Sequence, residues 1–202
     1  MGDNALTGSA GTPGAVAAEK LKGERIMTNQ DQPRRIEQRG LYFDELETDV
    51  LYVHSPGRTM TETDNVLFTT LSMNTQALHL DAAYSATQPF GRRVMNSMFT
   101  LATMVGQSVP QLTQGTIVGQ LGLSDIRFPH PLYPGDTLYT ETTVIDLRPS
   151  KSRPGLGVAT FAHIGRNQDG ITVAEATRVC LMFTRESHAQ HTRGEWASDD
   201  WL

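Results

Sequence analysis

The sequence predicts an α+β fold in which a curved antiparallel sheet wraps around one long buried helix. The helix is indicated by residues 92–109, RRVMNSMFTLATMVGQSV, which carry apolar side chains on nearly every helical face. A helix that is apolar all round belongs in a core rather than at a surface. After Gly115 the apolar period becomes two over four consecutive segments, with no helical segment between them. Such consecutive strands form an antiparallel sheet, and a curved sheet is the simplest cover for one buried helix.

Turn residues separate the four strand candidates. The strands are predicted at residues 116–128, 136–148, 157–167 and 171–184. A Pro-Gly-Asp turn within PLYPGDTLY separates the first two, because proline and glycine supply the backbone angles that a tight turn needs. An Asp-Gly pair within NQDGIT gives the last two strands the pattern of a β-hairpin.

Ahead of the long helix, a shorter helix is predicted to begin after Thr61. Thr61 and Asp64, three residues later, have the spacing of a capping box, in which each side chain bonds the backbone N–H of the other. Apolar side chains then recur at helical spacing through Leu71. We therefore interpret Asp64 as a helix cap rather than as a catalytic carboxylate. Residues 40–54, GLYFDELETDVLYVH, are expected to form a short strand or turn.

Length and composition favour a single domain, because 202 residues suffice for one sizeable core and are few for two. Residues 1–36 are small, polar and rich in glycine and alanine, so we expect a disordered N-terminal extension. Met27 is an alternative start to Met1. Residues 37–186 are predicted to form the domain. Residues 187–202 are predicted to form a polar tail, whose two tryptophans are candidates to anchor it to the domain or to another subunit.

Charge and hydropathy exclude several classes of function. The 17 basic and 22 acidic residues give a net charge of −5 and are mixed along the chain, so no basic stripe points to a nucleic-acid partner. No run of 18 apolar residues indicates a membrane span, and no continuous apolar stretch near the N-terminus indicates a signal peptide. The single cysteine, Cys180, lies in the apolar segment VCLMF and is expected to be a buried thiol. With no internal disulfide possible, a cytoplasmic location is expected.

The main candidate for chemistry lies in a polar segment before the long helix. This segment reads SMNTQALHLDAAY, residues 72–84, and contains one histidine, His79. Histidine exchanges protons near neutral pH, so His79 is a candidate general acid/base. An isolated histidine in such a segment is more often a core residue whose ring is satisfied by backbone hydrogen bonds. The segment by itself leaves both interpretations open.

Three longer segments favour catalysis, because together they resemble one enzyme family. They are LSMNTQALHLDAAYSATQPFGRRVMNSMFTL, FPHPLYPGDTLYTETTV and SKSRPGLGVATFAHIGRNQDGITV. In this order they resemble the MaoC-like hydratases, which are hot-dog-fold enzymes that act on acyl-CoA thioesters. The stretches MNTQ-LH, NSMFTL and SKSRP are most similar to a branch that handles mesaconyl-CoA, itaconyl-CoA or methylmalyl-CoA. The resemblance extends over residues 40–185.

The hydratase motif of that family runs Asp-x-Asn-Pro-(Ile/Leu)-His and is followed by x-Asp. The resemblance places His79 on the histidine and Asp81 on the trailing aspartate. Asn74 stands where the family has its catalytic aspartate, and Gln76 stands where it has asparagine. We therefore expect a site with a single general acid/base, His79. The attacking water is expected to be held by the amides of Asn74 and Gln76.

The resemblance also implies groups that bind the substrate. In relatives, backbone N–H groups at the start of the buried helix bind the thioester oxygen, and this position falls on Ser97, with Asn96 beside it. A dicarboxylic substrate needs a cation as well, because guanidinium groups bind carboxylates in pairs of hydrogen bonds. The candidates for this cation are Arg92, Arg93 and Arg127. Asp81 is a further candidate for contact with the substrate. Its structural alternative is an ion pair with Arg92 or Arg93.

Residues 148–155, RPSKSRPG, lie between two predicted strands and are candidates for binding the phosphates of CoA. The residues expected to make this contact are Lys151, Ser152 and Arg153. A solvated hairpin loop is the alternative, and the sequence favours neither. In the tail, His188 and His191 are spaced like a metal-binding pair, but a single such pair in a polar tail is ordinarily solvated.

The resemblance implies hydration of an enoyl-CoA thioester, or the reverse dehydration of a 3-hydroxyacyl-CoA, with a short branched dicarboxylic ester as substrate. No metal or redox cofactor is expected, and acyl-CoA is the small-molecule partner. In this fold, pairs of subunits close the sheet, so a homodimer or a larger even assembly is expected. One rival function is a hot-dog thioesterase, which would need a carboxylate that Asn74 does not supply. The other is a non-catalytic protein that binds acyl-CoA or regulates another protein.

Overall fold

The computed structural model describes residues 34–195. Most of the predicted N-terminal extension, the alternative start at Met27 and both tail tryptophans lie outside the described residues. From Gln38 onward the chain forms one unit by its internal contacts. No helix within the described range is long and apolar enough to cross a membrane.

The centre of the fold is an antiparallel sheet in which every strand pairing is antiparallel. Its strands are β1 (Leu51–Val53), β2 (Arg58–Thr59), β3 (Ile117–Arg127), β4 (Thr137–Pro149), β5 (Leu156–Arg166) and β6 (Thr172–Phe183). The strand order is β1-β4-β5-β6-β3, and β2 pairs with β4 beside this path. The four long strands predicted from the period of two are confirmed, each within two residues of its predicted bounds.

Between residues 34 and 195, five α-helices and one 3-10 turn accompany the sheet. They are a 3-10 turn (Phe43–Glu45), α1 (Glu62–Leu71), α2 (Ala77–Leu80), α3 (Ala82–Ala86), α4 (Ser97–Leu112) and α5 (Arg185–Thr192). The capping box of α1 is confirmed, because the Thr61 and Asp64 side chains each accept a hydrogen bond from the other's backbone N–H. The short helices α2 and α3 were not predicted. Helix α5 occupies the start of the segment that was expected to be a plain tail.

Helix α4 is the predicted long helix, and it packs against β4, β5 and β6. Met104 and Leu112 are almost fully buried on the side that faces the sheet. The helix begins five residues later than predicted, because the Asn96 side chain caps it. It is also not buried all round. Met98 is 51% exposed, and the exposed Ala102 and Gly106 continue the same stripe at four-residue spacing.

Cys180 lies in the core beneath α4, as the sequence predicts. Burial raises the pKa of its thiol to about 11. The thiol therefore stays protonated and unreactive at neutral pH, as expected for a cysteine in apolar surroundings.

A chain of buried polar groups crosses the core under the C-terminal half of α4. His54 contacts Gln111 Oε1 through Nδ1 (2.9 Å) and Thr142 Oγ1 through Nε2 (2.8 Å), and Thr142 Oγ1 contacts His163 Nδ1 (2.7 Å). Gln111 Oε1 can only accept, so Nδ1 of His54 donates to it and Nε2 of His54 accepts from the Thr142 hydroxyl. The Thr142 oxygen then accepts from Nδ1 of His163, which leaves a lone pair on Nε2 of His163. That nitrogen is buried without a partner among residues 34–195, as is Nη1 of Arg178. A protonated His163 would therefore be a buried, uncompensated cation.

Folding stability should depend on pH through these buried histidines. Burial lowers the pKa of His163 to about 3 from an ordinary 6.5, with the charges of Arg178 and His54 acting in the same direction. Burial also lowers the pKa of His54. Below pH 6.5 the unfolded chain therefore binds more protons than the folded protein, and the free energy of unfolding falls as the pH drops toward 3.

For each of these buried histidines, the free energy of unfolding is expected to change by at most about 1.4 kcal/mol per pH unit. Urea unfolding followed by circular dichroism at neutral and mildly acidic pH measures this slope. His163→Asn should flatten it, because asparagine has no proton to bind in the unfolded chain. An equally steep slope in wild type and variant would assign the pH dependence to other groups.

Helix α5 places both tail histidines in contact with the domain, with His188 half-buried and His191 still exposed. Nδ1 of His188 lies 2.8 Å from the hydroxyl of Tyr42. The rings of His188 and His191 pack on Phe183, with centroids 5.1 Å and 5.4 Å away. Within residues 34–195 no group of three or more histidine, cysteine, aspartate or glutamate side chains is placed to hold a metal ion.

Candidate functional site

His79 lies in the single turn of α2, and only 9% of its surface is exposed. Its Nδ1 is 3.0 Å from the carbonyl oxygen of Val94. A carbonyl oxygen only accepts, so Nδ1 carries the proton and donates it to this bond. Nε2 of the neutral ring then carries the lone pair, and it has no hydrogen-bond partner within the described residues. This is the tautomer that a general base needs.

A fully buried asparagine of α1, Asn65, fixes the surroundings of His79. Its Nδ2 donates to the carbonyl oxygens of His79 and Val94, each at 3.1 Å. Its Oδ1 accepts from the N–H of Asn96 at 2.8 Å. One amide therefore joins α1, the histidine turn and the start of α4. No signal in the sequence pointed to this role of Asn65.

His79 lines a cavity of about 340 Å³ beside the N-terminus of α4. The polar side chains of its lining are His79, Ser97, Thr100 and His130. The remaining lining residues are Leu78, Phe90, Val94, Met95, Phe128, Pro129, Pro131, Leu132 and Val173. No aspartate, glutamate, lysine or arginine is among these described lining residues. The described lining of the cavity is therefore mainly apolar, and it includes two imidazole side chains.

The start of α4 supplies hydrogen-bond donors to this cavity. Ser97 is the first residue of the helix, so its N–H has no partner within the helix. The next N–H, that of Met98, is satisfied by the Asn96 side chain at 3.0 Å. The positive end of the helix dipole lies at the same place. Ser97 thus lines the cavity where the sequence analysis expected a group that binds a developing oxyanion.

The two amides expected to hold the attacking water do not line the cavity. Asn74 Oδ1 instead accepts from the N–H of Gln76 at 3.0 Å. Gln76 is exposed, and its Oε1 caps α2 by accepting from the N–H of Leu78 at 3.5 Å. Both side chains bond the nearest free backbone groups, which short polar side chains ordinarily do beside a helix start. In this chain the structure does not bring either amide to the cavity with His79.

Asn96 and Asp81 also serve as helix caps. Asn96 is 3% exposed, and its amide nitrogen donates to Thr69 Oγ1 at 3.2 Å while its oxygen caps α4. Both ends of its side-chain amide are therefore engaged in holding α1 and the start of α4 together. Asp81 is exposed and accepts from the N–H of Tyr84 at 2.9 Å, which caps α3. The ion pair that was its structural alternative does not form, because Arg93 pairs with Glu62 and Arg92 lies over Tyr133.

The arginines expected to bind a second substrate carboxylate are engaged elsewhere. The guanidinium of Arg92 lies over the ring of Tyr133, 3.7 Å from its centroid. Arg93 forms an ion pair with Glu62 at 2.6 Å and donates to a backbone carbonyl. Arg127 ends β3 and lies in a different groove, which it shares with acidic residues of β3 and β6. None of the three lines the cavity that holds His79.

The loop expected to bind CoA phosphates lies at the far end of the strands from His79. Lys151, Ser152 and Arg153 belong to the turn between β4 and β5. Val173, which lines the cavity, lies at the opposite end of the sheet, beside the last residues of β5. The 11 residues of β5 separate the two ends by roughly 35 Å. Within one chain the loop therefore does not belong to the cavity.

His130 is the site residue that sequence analysis missed. It lies between two prolines in FPHPL, a segment counted toward the family resemblance but given no role of its own. The sequence did carry a signal for this residue: two flanking prolines restrict the backbone of His130 and so favour a fixed position for its ring. Only the fold shows that this loop closes one side of the cavity that His79 lines.

Together these groups suit acid/base chemistry on a compound with a polarised carbonyl. A lone pair on His79 can take a proton from water, and the N–H of Ser97 at the start of α4 can bond an oxygen on which negative charge develops. The mainly apolar walls lower the local polarity around these groups, which strengthens both contacts.

A model of the family described as "MaoC like domain" matches residues 46–166. A β-methylmalyl-CoA dehydratase from Chloroflexus aurantiacus is 31% identical over 150 residues, which are 74% of this chain and 42% of that protein. A mesaconyl-CoA hydratase from Cereibacter sphaeroides is 25% identical over 150 residues, covering 74% of this chain and 43% of that protein. The chain thus spans less than half the length of these curated relatives.

A solved structure from Mycobacterium tuberculosis, described as a double hot-dog fold, is similar in architecture. It aligns with a TM-score of 0.65 and 24% identity, covering 74% of this chain and 46% of that chain. At this identity the likeness concerns the fold alone. It agrees with the antiparallel sheet over one long helix described above.

Proposed function

Because the chain belongs to the MaoC-like domain family, we propose that it hydrates an enoyl-CoA thioester or dehydrates a 3-hydroxyacyl-CoA. The observation that carries this proposal is the free Nε2 of His79 in a cavity at the N-terminus of α4. The base and the oxyanion donors come from separate elements. Their placement on two sides of one cavity is what the addition of water to a conjugated thioester requires.

In the proposed reaction, water attacks C3 of the enoyl group while Nε2 of His79 removes its proton. Negative charge moves to the thioester oxygen, where the N–H of Ser97 and the helix dipole stabilise it. The imidazolium of His79 is held by the Val94 carbonyl oxygen, which accepts from Nδ1 throughout. His79 then returns the proton to C2. In the reverse direction the same histidine protonates the departing hydroxyl.

For the substrate we propose a short branched dicarboxylic ester such as mesaconyl-, itaconyl- or methylmalyl-CoA. Two relatives carry names of this class, β-methylmalyl-CoA dehydratase and mesaconyl-CoA hydratase. The apolar walls formed by Phe128, Leu132 and Val173 suit a short branched chain. No arginine or lysine lies among the described lining residues. A cation for the second carboxylate would therefore come from another subunit.

We propose that two copies of this chain associate, as a homodimer or a larger even assembly in the cytoplasm. Two relatives are more than twice as long as the matched region, and a solved relative joins two hot-dog modules. Strand β3 ends the sheet, and its side chains Leu121, Leu123 and Ile126 are exposed. A second copy would cover this apolar edge. Light scattering coupled to size-exclusion chromatography tests the proposal, and a monomer at micromolar concentration would reject it.

Purified protein mixed with crotonyl-, mesaconyl- and itaconyl-CoA tests the reaction. We expect loss of the conjugated-thioester absorbance, and product detection by mass for itaconyl-CoA. Hydration of the branched diacid esters in preference to crotonyl-CoA would support the substrate class. Release of free thiol would instead identify a thioesterase. Binding of every ester without turnover would identify an acyl-CoA-binding protein, and the hydratase proposal would then be withdrawn.

A further inference from the structure

We propose that His130 is a second catalytic residue of the cavity, which accepts a hydrogen bond from the water that His79 activates. This inference rests on the proposed hydratase function. His79 and His130 line the same cavity, although they come from α2 and from the loop between β3 and β4. Among the described residues that line it, they are the two imidazole side chains.

The two histidines are held in the same tautomer. Nδ1 of His130 lies 3.0 Å from the carbonyl oxygen of Thr172, just as Nδ1 of His79 lies 3.0 Å from that of Val94. Since both carbonyls only accept, each Nδ1 carries a proton and each Nε2 carries a lone pair. Neither Nε2 has a hydrogen-bond partner within the described residues. The cavity therefore offers two imidazole lone pairs.

Two acceptors are what an attacking water requires. Its oxygen lone pair must point at C3 while both hydrogens are bonded, because one bond alone leaves the molecule free to rotate about it. His79 takes one hydrogen and removes it as a proton. Asn74 and Gln76, expected to hold the water, bond local backbone groups instead. Nε2 of His130 supplies the missing acceptor for the second hydrogen.

The step balances without any further reactant. One O–H bond of water breaks as its proton passes to Nε2 of His79, and the O–C3 bond forms. The π electrons move toward the thioester oxygen, and the proton on His79 then passes to C2. His130 exchanges no proton, since it holds the remaining hydrogen of the new hydroxyl group throughout. Its contribution is orientation of the reacting water.

The loop around His130 is built to hold this ring in place. Pro129 and Pro131 fix the backbone angles on both sides of it. Leu132 is buried in the main core, and Phe128 packs against that core. The His130 side chain is exposed, whereas His79 is largely buried. His130 thus stands toward the open side of the cavity, where water enters.

His130→Ala should lower kcat for mesaconyl-CoA by about 10- to 100-fold, the effect of losing one hydrogen bond to the reacting atom. His130→Gln should recover part of the loss, because its amide oxygen also accepts. Imidazole added to the buffer should partly restore His130→Ala, since the position is exposed. KM for mesaconyl-CoA and the Kd of butyryl-CoA, which lacks the double bond, should change less than about threefold. His191→Ala, a histidine on α5, is the matched control.

The outcomes separate this inference from the proposed function. One outcome would overturn the role of His130 while the proposed function stands. In that outcome the wild type hydrates mesaconyl-CoA, His79→Ala is inactive, and His130→Ala keeps at least half of the wild-type kcat. A kcat loss matched by an equal loss of butyryl-CoA binding would also overturn it, because the residue would then shape the cavity. A wild type that hydrates none of the esters overturns both proposals.

Discussion

Replacing His79 with alanine is expected to lower kcat for enoyl-CoA hydration by about 10²- to 10⁴-fold, the range for loss of a positioned general base. The lost group is the Nε2 lone pair, which the bond from Nδ1 to Val94 leaves free. Because the apolar cavity walls remain, KM should change much less than kcat. Loss of the absorbance of mesaconyl-CoA, followed over a range of substrate concentrations, separates the two effects.

Two further variants serve as controls for the His79→Ala result. His191→Ala removes a histidine on α5 and should leave kcat at the wild-type value. Asn74→Ala removes the amide that stands where the family motif has its catalytic aspartate. In the structure this amide accepts a hydrogen bond from the backbone N–H of Gln76. If Asn74→Ala were as inactive as His79→Ala while both remained folded, the motif would identify the water-holding group correctly. The site geometry described above would then be wrong.

Replacing Asn65 with leucine is expected to lower the free energy of unfolding by about 3 kcal/mol, because it strands several buried backbone groups. The carbonyl oxygens of His79 and Val94 lose their donor, and the N–H of Asn96 loses its acceptor. Leucine is close to asparagine in size, so the loss comes from the missing hydrogen bonds rather than from a cavity. Urea unfolding at neutral pH measures it.

The same substitution should reduce activity, since Asn65 fixes the backbone of the catalytic histidine and the start of α4. Thr63→Ala is the matched control, because Thr63 is exposed on the same helix. It should change stability by less than about 0.5 kcal/mol. An Asn65→Leu variant within 1 kcal/mol of the wild type would show that water replaces the lost partners.

Much of the fold followed from the sequence, because its signals are local. The four strands alternate apolar and polar residues over 11 to 13 positions, long enough to fix their type without tertiary information. Thr61 and Asp64 specified a helix start by their spacing alone. The short helices α2 and α3 were missed, since four or five residues carry too little period to recognise.

The site was only partly predictable. The family motif and the start of the long helix identify His79 and Ser97, and both line one cavity. Other polar residues named with them bond backbone groups nearby. Asn96 and Asp81 have side chains that either bind a ligand or cap a helix, and the choice depends on which backbone N–H groups lie within reach.

The sheet, the buried helix and the amide at the position of the family's catalytic carboxylate can all be read from residue identity and short-range spacing. Three placements cannot: His130 lines the cavity of His79, Arg92 stacks on Tyr133, and Lys151 lies at the opposite end of the sheet. Each of these depends on how strands distant in sequence are paired. Strand register is set by burial across the whole core, and no single segment of the sequence records it.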